Sequence, residues 1–345
     1  MTILHFKFQM GVGGAETMLA DIMNEQVHHA KVILVILYKY YSKEILDRLD
    51  KRIEVIKINA PYNEKSFKLF LRLNWTIWNL KPDIVHVHEP KAPKWFIPFV
   101  CRKIVGTVHS IQLYSKWWKR CNPIFAISDT VHDDLIQHGF NHVQTVYNGI
   151  NFKDILRKND YLKRHDVFQL VCVGRFLNKK KGQDLLIKAM DVLVHQYHIT
   201  DIHLDLIGHG ESEEENRILI QKFGLEQYVD MLVGKERSYI YTHLKDYDLS
   251  VQPSLIEGFG LTVVESIAAG LPVLVSDTNG PIEIIEHGKY GYFFETGNIQ
   301  SLVEHLVDIY QNYSEKAQIL NIAIPYMESK YSVTQTALQY LAYYE

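Results

Sequence analysis

The sequence predicts an α/β protein with two doubly wound domains, each built on a parallel β-sheet. Short apolar runs alternate with helical patterns along the chain, which is typical of parallel strands joined by helices. The length of 345 residues suits two domains of ordinary size. A charged segment with little strand pattern separates two such series. We therefore expect a first domain over residues 1–150, a linker over 151–166 and a second domain over 167–325.

The predicted strands are short, apolar and followed by a loop or a helical pattern. Continuous apolar runs of this kind indicate strands that are buried on both faces of a sheet. In the first half they cover residues 2–10, 31–38, 53–58, 84–88, 104–108, 124–127 and 143–146. In the second half they cover residues 168–174, 203–207, 229–234, 249–252, 273–275 and 288–294.

The composition restricts the class of protein. With 47% hydrophobic and 22% charged residues, the chain resembles folded globular proteins and not disordered ones. No run of roughly 18 uncharged apolar residues occurs, so we expect no transmembrane helix, and the first residues lack the pattern of a secretory signal. Cys101, Cys121 and Cys172 have the spacing of neither a zinc site nor a disulfide framework. We expect a reduced, cytoplasmic setting.

Charge is distributed unevenly between the two halves. Residues 1–150 contain 19 Lys and Arg against 13 Asp and Glu, a net charge of +6. The remaining residues contain 18 against 27, a net charge of −9. A basic half beside an acidic half indicates a charged partner.

Basic and aromatic residues are interleaved between residues 61 and 120, where only three acids occur. Aromatic rings at head-group depth and cations near anionic lipid each favour membrane contact. A solvated face over core aromatics would give the same pattern, and nucleic acid is disfavoured because no DNA or RNA motif is present. We expect contact with an anionic membrane surface or with the acceptor through Lys94, Trp95, Lys116, Trp117, Trp118, Lys119 and Arg120.

Residues 249–281 contain a strand, a loop bent by glycines, and a helix that should end at a left-handed Gly270. Glu257 lies in the loop at the carboxyl end of the strand, where ligands bind in open α/β sheets. Glu265 lies within the apolar helix. It is either a carboxylate favoured by the helix dipole or a buried acceptor for a pair of ligand hydroxyls.

Glycine-rich turns follow the first strand of each half. Gly13 and Gly14 precede a helix whose N-terminus favours anions, but the turn departs from the dinucleotide fingerprint and argues against a dehydrogenase. In the second half, Arg175 and Lys181 flank a turn that ends in a glycine, where they could bind phosphate oxygens. A solvated loop with a basic tip is the alternative. His109 falls at the carboxyl end of a strand.

Several of these segments resemble glycosyltransferase family four, a family of retaining GT-B glycosyltransferases. The stretch EGFGLTVVESIAAGLPV resembles its E-x7-E signature, GGAE its N-terminal loop, and GRFLNKKKG its G-R-L-x(3)-K-G element. The resemblance covers Gly13 to about Gly297. It implies two Rossmann-like domains that face each other across a cleft, with the acceptor bound by the first domain and a nucleotide sugar by the second. It also implies that a helix over residues 326–345 packs back on the first domain.

The resemblance also implies roles for individual residues. It assigns catalysis to Glu257, His109, Arg175 and Lys181. It assigns donor binding to Gly13, Gly14, Arg175, Lys181, Gly208, Gly234, Gly258, Phe259, Gly260, Leu261 and Glu265. Cations and N–H dipoles would stabilise the departing diphosphate, so we expect no metal and no cofactor.

These implications combine into one expected function. A bacterial enzyme would transfer a hexosyl residue, with retention, from a UDP-sugar to a lipid-linked oligosaccharide, lipopolysaccharide or similar polysaccharide at the inner face of the cytoplasmic membrane. Two carboxylates can also indicate a glycosidase, but a phosphate-binding pair beside them favours a transferase. The alternatives are a GT-B sugar-nucleotide 2-epimerase and a non-catalytic subunit that binds a sugar nucleotide.

Overall fold

A computed structural model describes residues 1–11 and 13–345 of the chain. Val12, inside the predicted glycine turn, lies outside the described residues. The chain divides into two compact units. The first comprises Met1–Ile150 with Tyr331–Glu345, and the second comprises Asn151–Lys330.

The first unit contains a seven-stranded sheet in which all neighbours are parallel. Its strands are β1 Thr2–Lys7, β2 Lys31–Tyr38, β3 Glu54–Ala60, β4 Ile84–Val87, β5 Lys103–Val108, β6 Ile124–Ala126 and β7 Val143–Thr145. Their order is β3-β2-β1-β4-β5-β6-β7. Strand β2 is buried at every position after Lys31, because helices or loops cover both faces of the sheet.

The second unit contains a six-stranded parallel sheet with the corresponding order, β10-β9-β8-β11-β12-β13. Its strands are β8 Phe168–Val173, β9 Ile202–Gly208, β10 Val229–Val233, β11 Leu249–Gln252, β12 Val273–Ser276 and β13 Tyr292–Phe294. Both sheets therefore have the doubly wound order, in which the chain reverses direction across the sheet beside the first strand. The prediction of two Rossmann-like domains is confirmed.

Fourteen α-helices are present in the described part of the chain. They are α1 Gly14–Gln26, α2 Lys43–Asp47, α3 Phe67–Leu80, α4 Asp129–Gln137, α5 Asn178–Lys181, α6 Gln183–Asp191, α7 Glu213–Lys222, α8 Arg237–His243, α9 Leu261–Ala268, α10 Asn279–Ile284, α11 Ile299–Gln311, α12 Tyr313–Lys316, α13 Leu320–Lys330 and α14 Val333–Tyr344. Short 3-10 turns cover Ala92–Trp95, Lys116–Arg120, Phe152–Asp154, Leu244–Asp246 and Ala317–Ile319, and a π-helical turn covers Val192–Gln196. Among the described helices, none is long and apolar enough to cross a bilayer.

The predicted strands all appear, with ends that differ by a few residues. The largest changes are at 2–10, where the strand ends at Lys7, and at 288–294, where it begins at Tyr292. In both cases the strand lasts only as long as its register with a neighbour, β2 or β12. Gly270 has φ of 84° after α9, as predicted for the end of that helix.

The segment predicted as one helix over residues 326–345 contains two helices, of which the second packs on the first unit. Helix α13 ends at Lys330, and α14 begins at Val333, where the Ser332 hydroxyl accepts a hydrogen bond from the Gln335 N–H. Helix α13 packs on α9 of the second unit, whereas α14 packs on α1 of the first. The backbone of Ile150 bonds to both Tyr331 and Val333 and ties this segment to the first unit.

The predicted linker, residues 151–166, is attached to the second unit. Lys158 Nζ lies 2.8 Å from Asp248 Oδ1, and the same carboxylate accepts hydrogen bonds from the His165 backbone and ring. Asp248 is fully buried at the start of β11. Lys158 therefore neutralises a buried acid and fixes this segment to the second unit.

In the structure, three of the seven residues predicted to contact a membrane or the acceptor engage neighbouring parts of the fold. Trp95 is buried, and Trp118 is fully buried, where a Cβ on Gly106 would approach its ring to 2.5 Å. The Arg120 guanidinium donates to the carbonyls of Pro93 and Phe96 at 2.7 and 2.6 Å. Lys116 and Lys119 are exposed, and Lys94 and Trp117 are partly exposed.

The close contact between β8 and β9 yields a first prediction. A Cβ at Gly208 would lie 1.9 Å from the Gly174 carbonyl oxygen, so Gly208→Ala must displace backbone. We expect the second unit to lose about 1–3 kcal/mol of stability, as overpacked cores do. Urea unfolding followed by fluorescence measures this loss.

The matched control is the other partner of the same contact. A Cβ at Gly174 has its nearest neighbour at 3.9 Å, the Gln183 side chain, so Gly174→Ala should be nearly neutral. Equal midpoints for both variants would contradict the packing role of Gly208.

Candidate donor and acceptor sites

The strand order places one reversal point in each sheet, between β1 and β4 in the first and between β8 and β11 in the second. Ligands of doubly wound sheets bind outside the carboxyl ends of the strands at this point. Gly13 and His88 follow the two central strands of the first sheet. Arg175 and Glu257 follow those of the second. Sequence-predicted site residues therefore lie at the reversal point of each unit.

At the first reversal point, a buried ammonium is held between two carboxylates. Lys7 Nζ lies 3.2 Å from Glu16 Oε1 and 3.0 Å from Glu89 Oε1. Burial alone would lower the pKa of Lys7, but Glu89 and Glu16 outweigh it and raise the pKa. The ammonium is therefore charged at neutral pH. Sequence reasoning missed this cluster, although Glu16 belongs to the predicted GGAE loop.

His109 follows β5 at the same edge and is half-buried. Its Nε2 lies 3.3 Å from His88 Nδ1, in a hydrogen bond between two rings. Burial, followed by the charge of Lys7, lowers the pKa of His109 to about 3. The ring is therefore neutral at physiological pH and can act as a hydrogen-bond acceptor or donor, but not as a cation.

In the second unit, Lys181 and Glu257 form an ion pair. Two backbone hydrogen bonds bring them together: the Lys180 carbonyl accepts from the N–H groups of Leu255 and Ile256, at 2.8 and 3.1 Å. These bonds fasten the loop after β11 to the end of α5. Lys181 and Glu257, 76 residues apart in sequence, thereby meet at the predicted donor site.

Gly182 makes this contact possible. It has φ of 65°, and a Cβ there would lie 2.1 Å from the Pro253 carbonyl oxygen. A side chain would therefore force α5 away from the β11 loop. The glycine after Lys181 is required by geometry, and not only by the sequence element that it completes.

Glu265 is buried in α9 and shares one carboxylate oxygen between two donors. Arg237 Nη2 and the Tyr241 hydroxyl each lie 3.0 Å from Glu265 Oε1. Burial, and next the charge of Glu265, raise the pKa of Tyr241, so the phenol stays protonated and donates. Neither Arg237 nor Tyr241 was predicted. A cation and a phenol four residues apart on α8, just after β10, are the only local signal.

Arg175 lies at a different place from the other predicted cation. Its side chain is exposed and forms no hydrogen bond or ion pair with the described residues, and only its carbonyl is engaged, by Gln183 at 2.9 Å. The structure therefore brings Lys181, but not Arg175, into contact with an acid. Arg175 remains available to an incoming anion.

Several helices in the described part of the chain begin without a side-chain cap, among them α1, α6 and α9, which each follow a glycine. Gly13 precedes α1, and Gly260, with φ of 109°, precedes α9. By contrast, serine hydroxyls cap α3, α4 and α14. The first N–H groups of α9 adjoin Gly258, Phe259 and Leu261, and such groups favour an anion. The predicted donor residues Gly14 and Gly208 lie in α1 and at the end of β9, and Gly234 has φ of 73° after β10.

Two groups of side chains in the described residues have the spacing of metal ligands. Every ring nitrogen of His5, His86 and His88 is already engaged in a hydrogen bond within the protein. The second group, His203, Asp205 and Asp230, lies at an edge of the second sheet, away from its reversal point. The hydrogen bonds of the first group leave its lone pairs committed.

We expect no metal, yet the sequence contains one Asp-x-Asp pattern, Asp246-Tyr247-Asp248, of a kind that can bind metal ions. Asp248 is the buried partner of Lys158, and the Tyr247 hydroxyl bonds to Asp205. Asp246 is exposed. Asp248 and Tyr247 therefore have structural roles in the second unit.

Two family models match consecutive parts of the chain. The model of the Glycosyltransferase Family 4 domain matches residues 12–154, and that of Glycosyl transferases group 1 matches residues 154–324. Together they cover most of the chain.

Among curated relatives, phosphatidyl-myo-inositol mannosyltransferase of Mycobacterium leprae is 24% identical over 67% of this chain and 64% of its own length. Alpha-monoglucosyldiacylglycerol synthase of Acholeplasma laidlawii is 25% identical over 69% of this chain and 60% of its own. The chain thus spans somewhat less than two thirds of either protein.

Among solved structures, Anabaena HepE in complex with UDP and glucose matches with a TM-score of 0.81 and 21% identity, over 99% of this chain and 98% of its own. The likeness shows the GT-B fold. With both family models matched in consecutive halves, the chain belongs to glycosyltransferase family 4.

Proposed function

We propose that this protein is a glycosyltransferase that moves a hexosyl residue from a nucleotide sugar to a lipid-linked or glycan acceptor, with retention of anomeric configuration. The observation that supports it most is the contact of Lys181 with Glu257 at the reversal point of the second sheet, beside the uncapped helix α9. HepE was solved with UDP and glucose, which supports a UDP-sugar as the donor.

Each residue has a task in that reaction. As the anomeric C–O bond lengthens, negative charge grows on the departing diphosphate, and Lys181, Arg175 and the N–H groups of α9 would stabilise it without a metal. Glu265 would accept the ribose hydroxyls. Glu257 would accept hydroxyls of the sugar, and the Lys181 ammonium, now paired with it, would turn to the diphosphate when the donor binds.

The first unit would bind the acceptor. There, neutral His109 would form a hydrogen bond with a hydroxyl of the sugar or of the acceptor. The buried Lys7 ammonium holds Glu16 in the first turn of α1.

Glu257→Gln tests the catalytic role of that carboxylate. The amide keeps the size of the side chain but loses its charge, so we expect turnover to fall by at least ~100-fold, as when a transition-state contact is lost. Donor hydrolysis, followed by release of nucleotide, measures it.

The control is Glu226→Gln, an exposed acid of the same unit, which should keep full activity. Near-normal turnover of Glu257→Gln would exclude the role. Interconversion of the donor sugar without transfer would identify an epimerase, and binding without turnover a non-catalytic subunit.

Arg175→Ala tests whether the exposed guanidinium reaches the donor. Loss of a charge-assisted hydrogen bond should weaken UDP binding by roughly tenfold or more, measured by calorimetry. Because the side chain has no partner among the described residues, stability should not change. Unaltered affinity for UDP would remove Arg175 from the site.

The acceptor's location is suggested by the outer face of α3. Phe67, Leu71, Trp75 and Trp78 follow one another at helical spacing, and they are exposed by 73, 51, 69 and 58%. Their repetition every three or four residues forms one apolar stripe. An exposed stripe of this kind is rare on a monomeric protein and marks an interaction surface.

The charge of α3 supports an anionic bilayer as the partner of this stripe. Lys65, Lys68, Arg72 and Lys81 accompany it, and residues 65–81 contain no acid. Beside Trp78 lies a groove of about 600 Å³ that also involves Phe99, which is 92% exposed. Aromatic rings with flanking cations suit the lipid head-group region. The membrane contact predicted for residues 94–120 is therefore proposed for α3 instead.

Vesicle co-sedimentation tests this surface. With vesicles of phosphatidylglycerol and phosphatidylcholine, we expect Lys68→Glu with Arg72→Glu to weaken binding by at least roughly tenfold, since each cation contributes about 1 kcal/mol. Trp75→Ser with Trp78→Ser should weaken it as well.

Two controls test whether the loss of binding is specific to α3 or follows from any change of surface charge or apolar surface. Lys116→Glu with Lys119→Glu reverses two exposed lysines of the predicted segment, and Ile218→Ser removes an exposed apolar side chain of the second unit. Both should bind as the wild type does. Equal binding of the α3 variants would contradict the proposal.

A further inference from the structure

Buried polar side chains in the first unit form a continuous chain of hydrogen bonds that ends at His109. From His109 it passes through His88, His5 and Gln26 to Tyr344. Apart from His109, all of these side chains are buried, and Gln26 is fully so. Gln26 is the last residue of α1 and was not predicted to have any role.

The rings in this chain are neutral. Burial lowers the pKa of His5 to about 4, and it lowers that of His88 well below the usual value. Burial also lowers the pKa of His109. A neutral imidazole has one N–H and one lone pair, so a ring that accepts at one nitrogen must donate at the other. The direction of one hydrogen bond therefore fixes the direction of all.

Gln26 sets that direction. Its amide oxygen lies 2.7 Å from His5 Nε2, a distance that suits an N–H···O bond and is short for an N–H···N bond. The amide nitrogen faces the Tyr344 hydroxyl at 3.5 Å, and that hydroxyl lies 2.6 Å from His86 Nδ1. The short contact at the oxygen therefore fixes the orientation of the amide. Since the oxygen can only accept, His5 carries its proton on Nε2.

The remaining assignments follow in sequence. His5 Nδ1 has the lone pair and accepts from His88 Nε2–H, at 3.2 Å. His88 Nδ1 then has the lone pair and accepts from His109 Nε2–H, at 3.3 Å. No described residue bonds to His109 Nδ1.

We infer that Gln26 is a positioning residue, which holds His109 in the Nε2–H tautomer and leaves Nδ1 as a hydrogen-bond acceptor. The use of that lone pair, to accept from a hydroxyl of the sugar or the acceptor, rests on the proposed function. The reversed amide would propagate in the same way and leave His109 with Nδ1–H. The two states are therefore discrete.

The test is a nitrogen-15 NMR spectrum of the full chain labelled at histidine, without ligand. Protonated and unprotonated imidazole nitrogens have well-separated shifts, and the spectrum of His109→Gln assigns the signals of His109. We expect its proton on Nε2. A proton on Nδ1 overturns the inference.

Two variants test the part played by Gln26. The carboxylate of Gln26→Glu favours a doubly protonated His5, which donates from Nδ1 and reverses the chain, so His109 should change to Nδ1–H. Gln26→Met removes the acceptor at similar size, and both tautomers should then appear. Gln339→Met, on α14 of the same unit, is the control and should leave the signals of His109 unchanged. Unaltered His109 signals in both Gln26 variants would also overturn the inference.

Activity provides a separate readout. A tautomer that donates where it should accept is expected to lower kcat/KM for donor hydrolysis by roughly tenfold in Gln26→Glu. The NMR result needs no turnover. A wild type that lacks transferase activity would therefore refute the proposed function while the tautomer assignment stands, whereas an active wild type with Nδ1–H would refute only the inference.

Discussion

The candidate donor site depends on two main-chain hydrogen bonds, from Leu255 and Ile256 to the Lys180 carbonyl. They join two loops that leave neighbouring strands of the second sheet, and the left-handed Gly182 lets those loops approach. Because the bonds belong to the backbone, the meeting of the two loops does not require any particular side chain. The side chains at this contact can therefore vary without loss of the backbone bonds, and here they are Lys181 and Glu257.

The two units differ in how deeply the polar and charged groups at their reversal points are buried. In the first, Lys7 and His88 at the carboxyl edge are buried, and the low local dielectric makes the direction of each of their hydrogen bonds costly to change. In the second, Lys181 and Glu257 are partly exposed, and Arg175 is exposed. Hydrated charges can rearrange around a phosphate at little cost. A fixed imidazole in one unit and adaptable ions in the other suit the orientation of a hydroxyl and the capture of an anion.

The sequence predicted the fold better than the contacts. Runs such as β2, which is apolar from Val32 to Tyr38, are typical of buried strands. The spacing of Glu257 and Glu265 lies within one short segment and is visible in the sequence. The pairing of Glu265 with Arg237 joins separate elements, and no local pattern encodes it. Trp118 shows why the sequence alone predicts contacts poorly. An aromatic residue between cations is typical of an interface, yet this side chain is buried. Its burial depends on the space left by Gly106 on a neighbouring strand.

Helix α14 belongs to the first unit although it follows the second unit in the chain. Tyr340 and Tyr344 complete the core of the first unit by packing on Phe125, yet they follow the whole second unit in the chain. During synthesis at the ribosome, Phe125 and His86 of the N-terminal sheet therefore lack their contacts with Tyr340 and Tyr344 until α14 has been made. A truncated or stalled product would expose that aromatic surface, so cellular quality control could distinguish finished molecules from unfinished ones.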